Sequence, residues 1–206
     1  NPKAGEAVLD MCASPGSKTS QIAEFMDGMG ILIANERSRK RCNLLVANIQ
    51  RHRSRVTIVS NHDGRHIPYL SGDEGYDAIL VDAPCTGSGT TRKNPEVWRQ
   101  WKPSGGLGLH SMQVGLLNRA LDLLKPGGRV VYSTCSLDPV ENEAVISQIL
   151  QKRGDVRLIG CSDKIEGVSI QKGLRSWVPT DDNMQPLEGS PWAHPPSEEI
   201  SGELSK

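Results

Sequence analysis

The sequence predicts an α/β domain of the doubly wound kind, built on a mostly parallel sheet. Three observations carry this. Short apolar strand patterns alternate with helical ones over the first 160 residues. Polar or acidic residues stand just where several strand patterns stop, and in an open α/β sheet the carboxyl ends of strands face the ligand crevice. A chain of 206 residues with 36% hydrophobic content is long enough for one real core, which 4% aromatic content makes aliphatic.

The elements follow in order. Residues 6–11 read as a first strand. Residues 17–26 form a helix that opens after Pro15-Gly16. Residues 31–34 are a second strand. Residues 38–51 are a helix with Leu44, Leu45, Ala47 and Ile49 as its apolar positions. Residues 56–59 and 76–82 are the third and fourth strands. Residues 109–124 form a long helix, stopped by Lys125-Pro126-Gly127-Gly128. Residues 129–133 are the fifth strand. Residues 140–151 are a helix with Pro139 near its first turn, where Glu141 and Glu143 suit the positive helix end. Residues 156–159 are a sixth strand candidate, and no convincing last strand follows Ile159. From Ser162 the pattern fades, and residues 179–206 are rich in Pro, Ser, Glu and Gly without periodicity. The reading is a catalytic domain over 1–161 and a loop-rich, partly disordered extension over 162–206, with Trp177 and Trp192 pinning parts of it to the body. The chain opens at Asn1-Pro2-Lys3-Ala4-Gly5, close before a strand and without Met, as expected of an N-terminally cut fragment.

Charge and cysteine use narrow the classes. Residues 1–160 carry 20 Lys/Arg against 16 Asp/Glu, and residues 181–206 carry one base against six acids. A mildly basic body permits a nucleic-acid partner. The five cysteines (Cys12, Cys42, Cys85, Cys135, Cys161) form no C-x-x-C pair, which argues against a zinc ribbon and against a disulfide framework. A reducing, intracellular compartment follows, nucleus or cytoplasm. No apolar run approaches the roughly 20 residues that span a membrane, and a monomer is expected. His62-Asp63-Gly64-Arg65-His66 lacks the helix that an H-E-x-x-H metal site needs, because Gly64 and Pro68 oppose one, so no metal is expected.

Asp10-Met11-Cys12-Ala13-Ser14-Pro15-Gly16-Ser17-Lys18-Thr19 joins the first strand to the first helix. Its glycine permits close backbone approach, and the helix start offers free N–H groups. The P-loop and G-x-G-x-x-G spacings both fail, which leaves a phosphate-free cofactor with an adenosine and a charged tail. Glu36, 20 residues after Gly16 at a strand end, suits both ribose hydroxyls. Asp63 suits an adenine amino proton. The plainer alternative is that both acids cap the turns that follow.

Cys85 and Cys135 each follow a strand pattern, in Asp82-Ala83-Pro84-Cys85 and Tyr132-Ser133-Thr134-Cys135-Ser136. Two thiols delivered to one crevice beside an acid suit covalent attack on an electron-poor ring. The residue pattern alone does not choose which thiol attacks. Either must be partly deprotonated, which Lys18, Arg92 or Lys93 would favour if close. Cys42 and Cys161 read as small buried hydrophobes and Cys12 as a packing group inside the cofactor turn.

Together Asp10–Thr19, Asp82–Gly89, Arg92-Lys93-Asn94-Pro95 and Tyr132–Ser136 resemble the RsmB/Nop-type (Sun family) RNA (cytosine-5)-methyltransferases, with wording most similar to the eukaryotic tRNA-modifying branch. The resemblance runs from about Val8 to Leu150. It implies a Rossmann-like methyltransferase fold, S-adenosylmethionine as cofactor, and RNA, with tRNA foremost, as partner. It assigns the nucleophile to Cys135, product release to Cys85, and ring stabilisation to Asp82. It assigns the cofactor site to Cys12, Ala13, Ser14, Pro15, Gly16, Ser17 and Lys18 with Glu36, Asp63 and Asp82. Arg92, Lys93 and Asn94 become the RNA-facing residues. Trp98 and Trp101, three apart on a short helix, read as core anchors, and Arg37–Arg41 and Arg51–Arg55 as solvated helix ends. The function expected is methyl transfer to carbon 5 of cytosine through a cysteine adduct. The alternatives are a DNA cytosine methyltransferase, and a cofactor- or RNA-binding fragment without turnover.

Overall fold

The computed structural model describes residues 2–70, 75–160, 167, 169–187, 189 and 190. Five strands form one parallel sheet: β1 (Ala7–Asp10), β2 (Ile31–Asn35), β3 (Thr57–Ser60), β4 (Tyr76–Asp82) and β5 (Leu124–Ser133), in the order β3-β2-β1-β4-β5. The order reverses direction between β1 and β4. In doubly wound sheets that switch point is where ligands bind, and it sets the loops after Asp10 and Asp82 as the ones to inspect.

The chain divides into two compact units. The first comprises Asn1–Pro84 and Gly115–Thr134 and contains the whole sheet. Two helices, α1 (Ser17–Phe25) and α2 (Arg39–His52), follow β1 and β2. Ile22 and Met26 pack with Val8, Leu32, Val56 and Ala78, while Leu45 and Ile49 pack with Ala13, Ala34 and Val59. Leu32 and Ala34 are two apart, so both clusters lie on one side of β2. Of the apolar positions expected on α2, only Leu45 and Ile49 are buried; Leu44 and Ala47 face outward. Ser38 caps α2 by accepting from Arg41 N.

The second unit is formed by the described residues of Cys85–Val114 and Cys135–Lys206. It holds α3 (Pro95–Gln100), α5 (Glu143–Lys152) and the first part of α4 (Gly105–Asp122). Its core joins Val140, Ala144 and Trp177, with Leu107 against them. Trp177 therefore does anchor its segment. Trp192, Cys161 and most of the extension expected over 162–206 lie outside the described residues.

Several boundaries differ from the sequence reading. The long helix spans Gly105–Asp122 rather than 109–124, because Leu124 is drawn into β5 opposite Tyr76. Lys125-Pro126-Gly127-Gly128, expected as a helix stop, is a bulge inside β5, since the register jumps from Tyr76↔Leu124 to Ala78↔Arg129. The last helix begins at Glu143, not Val140. Asp138 accepts from Val140 N, and Asn142 Nδ2 donates to the Ser136 and Asp138 carbonyls, so residues 138–142 form a side-chain-held turn. Residues 156–159 form no strand among the described residues, and Leu158 and Ile159 are exposed. Among the described residues no helix is long and apolar enough to cross a membrane.

Candidate active site

The first unit carries the residues expected to hold the cofactor. Asp10, the last residue of β1, is 1% exposed and accepts from Thr19 Oγ1 at 2.7 Å. Its other oxygen is buried without a partner. Burial, aided by the nearby Asp82 charge, pushes its pKa up to about 6. The turn that follows is tied down on its outer side. Ala13 N donates to Asn35 O, Ser14 Oγ to Arg41 O, Arg41 Nη2 to Ser14 O, and Asn48 Nδ2 to Pro15 O. Gly16 sits at φ +108, and a Cβ there would press Leu45 Cδ1 at 3.0 Å, so glycine is required for both reasons. The Cys12 thiol is pushed up to about 12 by burial and by the surrounding carboxylates of Asp10, Glu36 and Asp82. It stays protonated at neutral pH.

Glu36 is 5% exposed just after β2 and accepts from Ser38 N at 2.8 Å, with Arg41 Nη2 at 3.5 Å. Asp63 caps the short turn Gly64–His66 and grips Arg65 through both oxygens, at 3.0 and 2.7 Å. Arg65 holds the Asp63 carboxyl well below the usual carboxylate range. Arg37 and Arg41 are thus more than solvated helix ends: they face Asp63 and Glu36. Asp82 closes β4; its carboxylate takes Lys18 Nζ at 2.5 Å and Ser133 Oγ at 2.9 Å. Lys18 is accordingly engaged with Asp82. The residue that sequence reasoning missed is Asn35. It is 1% exposed, donates to the carbonyls of Met11 and His62, and accepts from Ser60 Oγ and His62 N. It locks the loops after β1, β2 and β3 together, and the one signal was a polar residue ending the apolar run Ile31–Ala34.

These residues fit S-adenosylmethionine. The unpartnered buried oxygen of Asp10 lies at the root of the turn, and Asp82, Glu36 and Asp63 stand at the ends of β4, β2 and β3. That acid-rich set complements a cationic sulfonium and would repel a phosphate.

The second unit carries the thiols. Cys85 comes three residues after Asp82 and Cys135 two after Ser133, and Asp82↔Ser133 is the last register pair of β4 and β5. The two sulfurs lie 3.2 Å apart as free thiols, and Cys135 N donates to Cys85 Sγ at 3.3 Å. Burial and the neighbouring Cys135 thiol push Cys85 up to about 11, while Cys135 is exposed. A hydrogen-bonded clasp holds both loops. Ser136 Oγ meets Thr86 Oγ1 at 3.1 Å and Ser88 Oγ at 3.2 Å; Gly89 N donates to Cys135 O at 2.9 Å. Glu141, fully buried, accepts from Thr86 N and Gln113 Nε2, both at 2.9 Å, and from Thr86 Oγ1. Glu141 therefore does not serve the helix end as expected; its carboxylate is spent on the Cys85 loop.

Arg92, Lys93 and Asn94 are exposed between a short turn (Ser88–Thr90) and α3. Trp98 and Trp101 are not core anchors. They are 70% and 43% exposed and stack on each other, with ring centroids 6.4 Å apart. None of the six residues of α3 is buried. Cys42, expected buried, is only half-buried on α2.

Comparison with known proteins agrees with this geometry. Residues 1–188 match the family model described as 16S rRNA methyltransferase RsmB/F. The multisite-specific tRNA:(cytosine-C(5))-methyltransferase of Saccharomyces cerevisiae is 44% identical over 88% of this chain and 29% of its own length. The tRNA (cytosine(34)-C(5))-methyltransferase of Drosophila melanogaster is 38% identical over 84% of this chain and 25% of its own. The chain thus spans under a third of these two relatives. Among solved structures, NSun6 from Pyrococcus horikoshii with SFG superposes with a TM-score of 0.66 at 32% identity, covering 73% of this chain and 38% of that one.

Two outcomes are expected from this geometry. The Asp10 carboxyl titrates at about 6 when folded and near 4 when unfolded. The folded state then holds the proton more tightly, so stability falls as pH rises from about 4 through 6, by about 3 kcal/mol in all. Asp10→Asn should flatten that decline in urea midpoints measured across the range. Glu141→Ala removes a carboxylate that accepts from Thr86 N and Gln113 Nε2 and should cost about 3 kcal/mol by urea denaturation. The loosened clasp should also speed alkylation of the thiols in mass-spectrometric time courses, and Glu141→Gln should be milder.

Proposed function

The chain belongs to the RsmB/F family of S-adenosylmethionine-dependent RNA (cytosine-5)-methyltransferases, and from that premise we propose that it is the catalytic part of an intracellular enzyme that methylates carbon 5 of cytosine in tRNA through a cysteine adduct. In this reading residues 1–161 are the catalytic domain and 162–206 its extension. The observation that carries it is the pair of free sulfurs 3.2 Å apart, directly after the joined ends of β4 and β5. The similarity to tRNA methyltransferases of yeast and fly favours tRNA over DNA.

Carbon 5 of cytosine is a poor nucleophile, and sulfur adding at carbon 6 makes it enamine-like. The cofactor supplies a methyl group on a positively charged sulfur. The turn from Cys12 to Lys18 would hold that cofactor, with Glu36 on its ribose and Asp63 near its adenine. For Asp63 this requires exchange of one Arg65 hydrogen bond, since Arg65 takes both its oxygens.

Cys135 is the nucleophile. Its sulfur bonds to carbon 6, and the ring electrons move to carbon 5, which takes the methyl group. A base then removes the carbon 5 proton, the ring double bond returns, and the Cys135 sulfur leaves. Cys85 suits the release step. It keeps its proton up to about pH 11, so at neutral pH it is a donor beside the Cys135 sulfur. Asp82 would hydrogen-bond the cytosine near N3 and the amino group, stabilising charge that builds during attack. Lys18 and Ser133 orient its carboxylate. Arg92, Lys93 and Asn94 would meet the RNA backbone, and the cytosine must leave its stack to reach the sulfur.

The test is the complete natural protein incubated with total RNA, matched DNA and a methyl-labelled cofactor, followed by mapping of the modified base; 5-methylcytosine in tRNA alone is the expected result. Cys135→Ala should lower turnover by about 10³-fold or more while calorimetry gives an unchanged cofactor affinity. Cys85→Ala should accumulate a protein–RNA adduct that survives denaturing electrophoresis; no adduct would remove Cys85 from the release step.

A further inference from the structure

Resting on the RNA reading above, we propose that a cavity beside the thiol loops holds one unstacked nucleobase of the RNA strand, a close neighbour of the reacting cytosine. The cavity measures about 420 Å³ and lies wholly within the second unit, in the size range of small-ligand sites. Trp98, Trp101, Trp177, Leu137, Pro139 and Val140 form its apolar wall. Ser88 also lines it, and its hydroxyl bonds to Leu137 N at 2.8 Å and meets Ser136 Oγ. Leu137 is two residues past Cys135. A base held here therefore sits close along the strand to the one under attack.

Three independent features identify the occupant. Trp98 and Trp101 lie nearly parallel, 14° apart; Trp98 and Leu137 remain largely in water at 70% and 78% exposure, and Trp101 is partly exposed. Flat apolar faces gathered at one cavity mark a surface that something covers. Trp177 is 8% exposed, and its indole N–H is buried without an acceptor. A base carbonyl or ring nitrogen would supply one and relieve the cost of an unmet donor. The third feature is charge. Arg92 and Lys93 are exposed without an ion-pair partner among the described residues, and Arg99 and Lys102 have only long contacts, 3.4 Å to Glu96 and 3.8 Å to Asp182.

Aromatic faces for bases flanked by cations for phosphates are how single-stranded nucleic acid is held. An apolar peptide would use the indoles and leave the cations idle. A paired duplex would meet the cations and hide its base faces. The acid lining the cavity, Asp138, accepts from Val140 N, and burial raises its pKa above the ordinary carboxylate value, so it opposes the strand less than an exposed acid would.

The experiment uses the complete natural protein and a short single-stranded oligouridine RNA with one central cytosine, its Kd read by fluorescence anisotropy. Trp98→Ala should weaken binding about tenfold, with an unchanged Tm because the side chain is largely exposed. The same RNA with abasic residues flanking the cytosine should lose about the same factor on the unaltered protein. Trp98→Ala and abasic RNA combined should lose no more than either alone, and Trp98→Phe should bind nearly as the unaltered protein does. Unchanged binding by Trp98→Ala, or losses that multiply, would overturn the pocket and point to another occupant. The same protein scored for RNA cytosine methylation separates the two failures. Methylation with no effect of Trp98→Ala rejects the base pocket alone, whereas absence of both binding and methylation rejects the RNA reading with it.

Discussion

The pairing of Asp82 with Ser133 at the last rung between β4 and β5 is the constraint on which the site depends. Two cysteines 50 residues apart in sequence leave the sheet from adjacent strands, and each has three residues or fewer in which to diverge. Short tethers from a rigid parallel sheet confine where the sulfurs can go. Ser136, Thr86 and Glu141 then tie the two loops to each other, so the 3.2 Å separation is held by hydrogen bonds as well as by chain connection.

The electrostatics of the two halves differ in purpose. The cofactor half gathers carboxylates, and two of them, Asp10 and Glu36, are almost wholly buried. Burying acid is costly unless each is paired or neutral. Asp63 is gripped by Arg65 and Asp82 by Lys18, Glu36 accepts from Ser38 N, and desolvation raises the Asp10 carboxyl to about 6. The thiol half instead separates two chemically identical groups by environment. Cys85 is desolvated and keeps its proton, and Cys135 is exposed. Two sulfurs in contact can thereby take different roles, as pairs of carboxylates do elsewhere.

The strands were readable because a buried parallel strand is a short, nearly continuous apolar run, and five such runs stand out in an aliphatic chain. All five strands and the first two helices lie within a few residues of where the pattern put them. The misreadings came from residues whose fate is set by distant partners. Glu141 looks like a helix-start acid until Thr86 and Gln113, far off in sequence, claim it. Lys125-Pro126-Gly127-Gly128 looks like a helix stop, yet the helix ends earlier, at Asp122, and Leu124 pairs with Tyr76, which makes the segment a strand bulge. Residues 156–159 have strand composition but find no neighbouring edge.

The sequence by itself determined the fold class and singled out the candidate site residues, because these rest on local pattern and on residue type: apolar runs, strand-end acids, a glycine that must take positive φ, and two thiols after strands. Only the tertiary structure decided which of those residues meet. It set Lys18 on Asp82 and Asn35 across three loops, and it left Trp98 exposed and Trp101 partly so. Those outcomes depend on strand order and on burial, and neither is encoded in any stretch of chain short enough to be read alone.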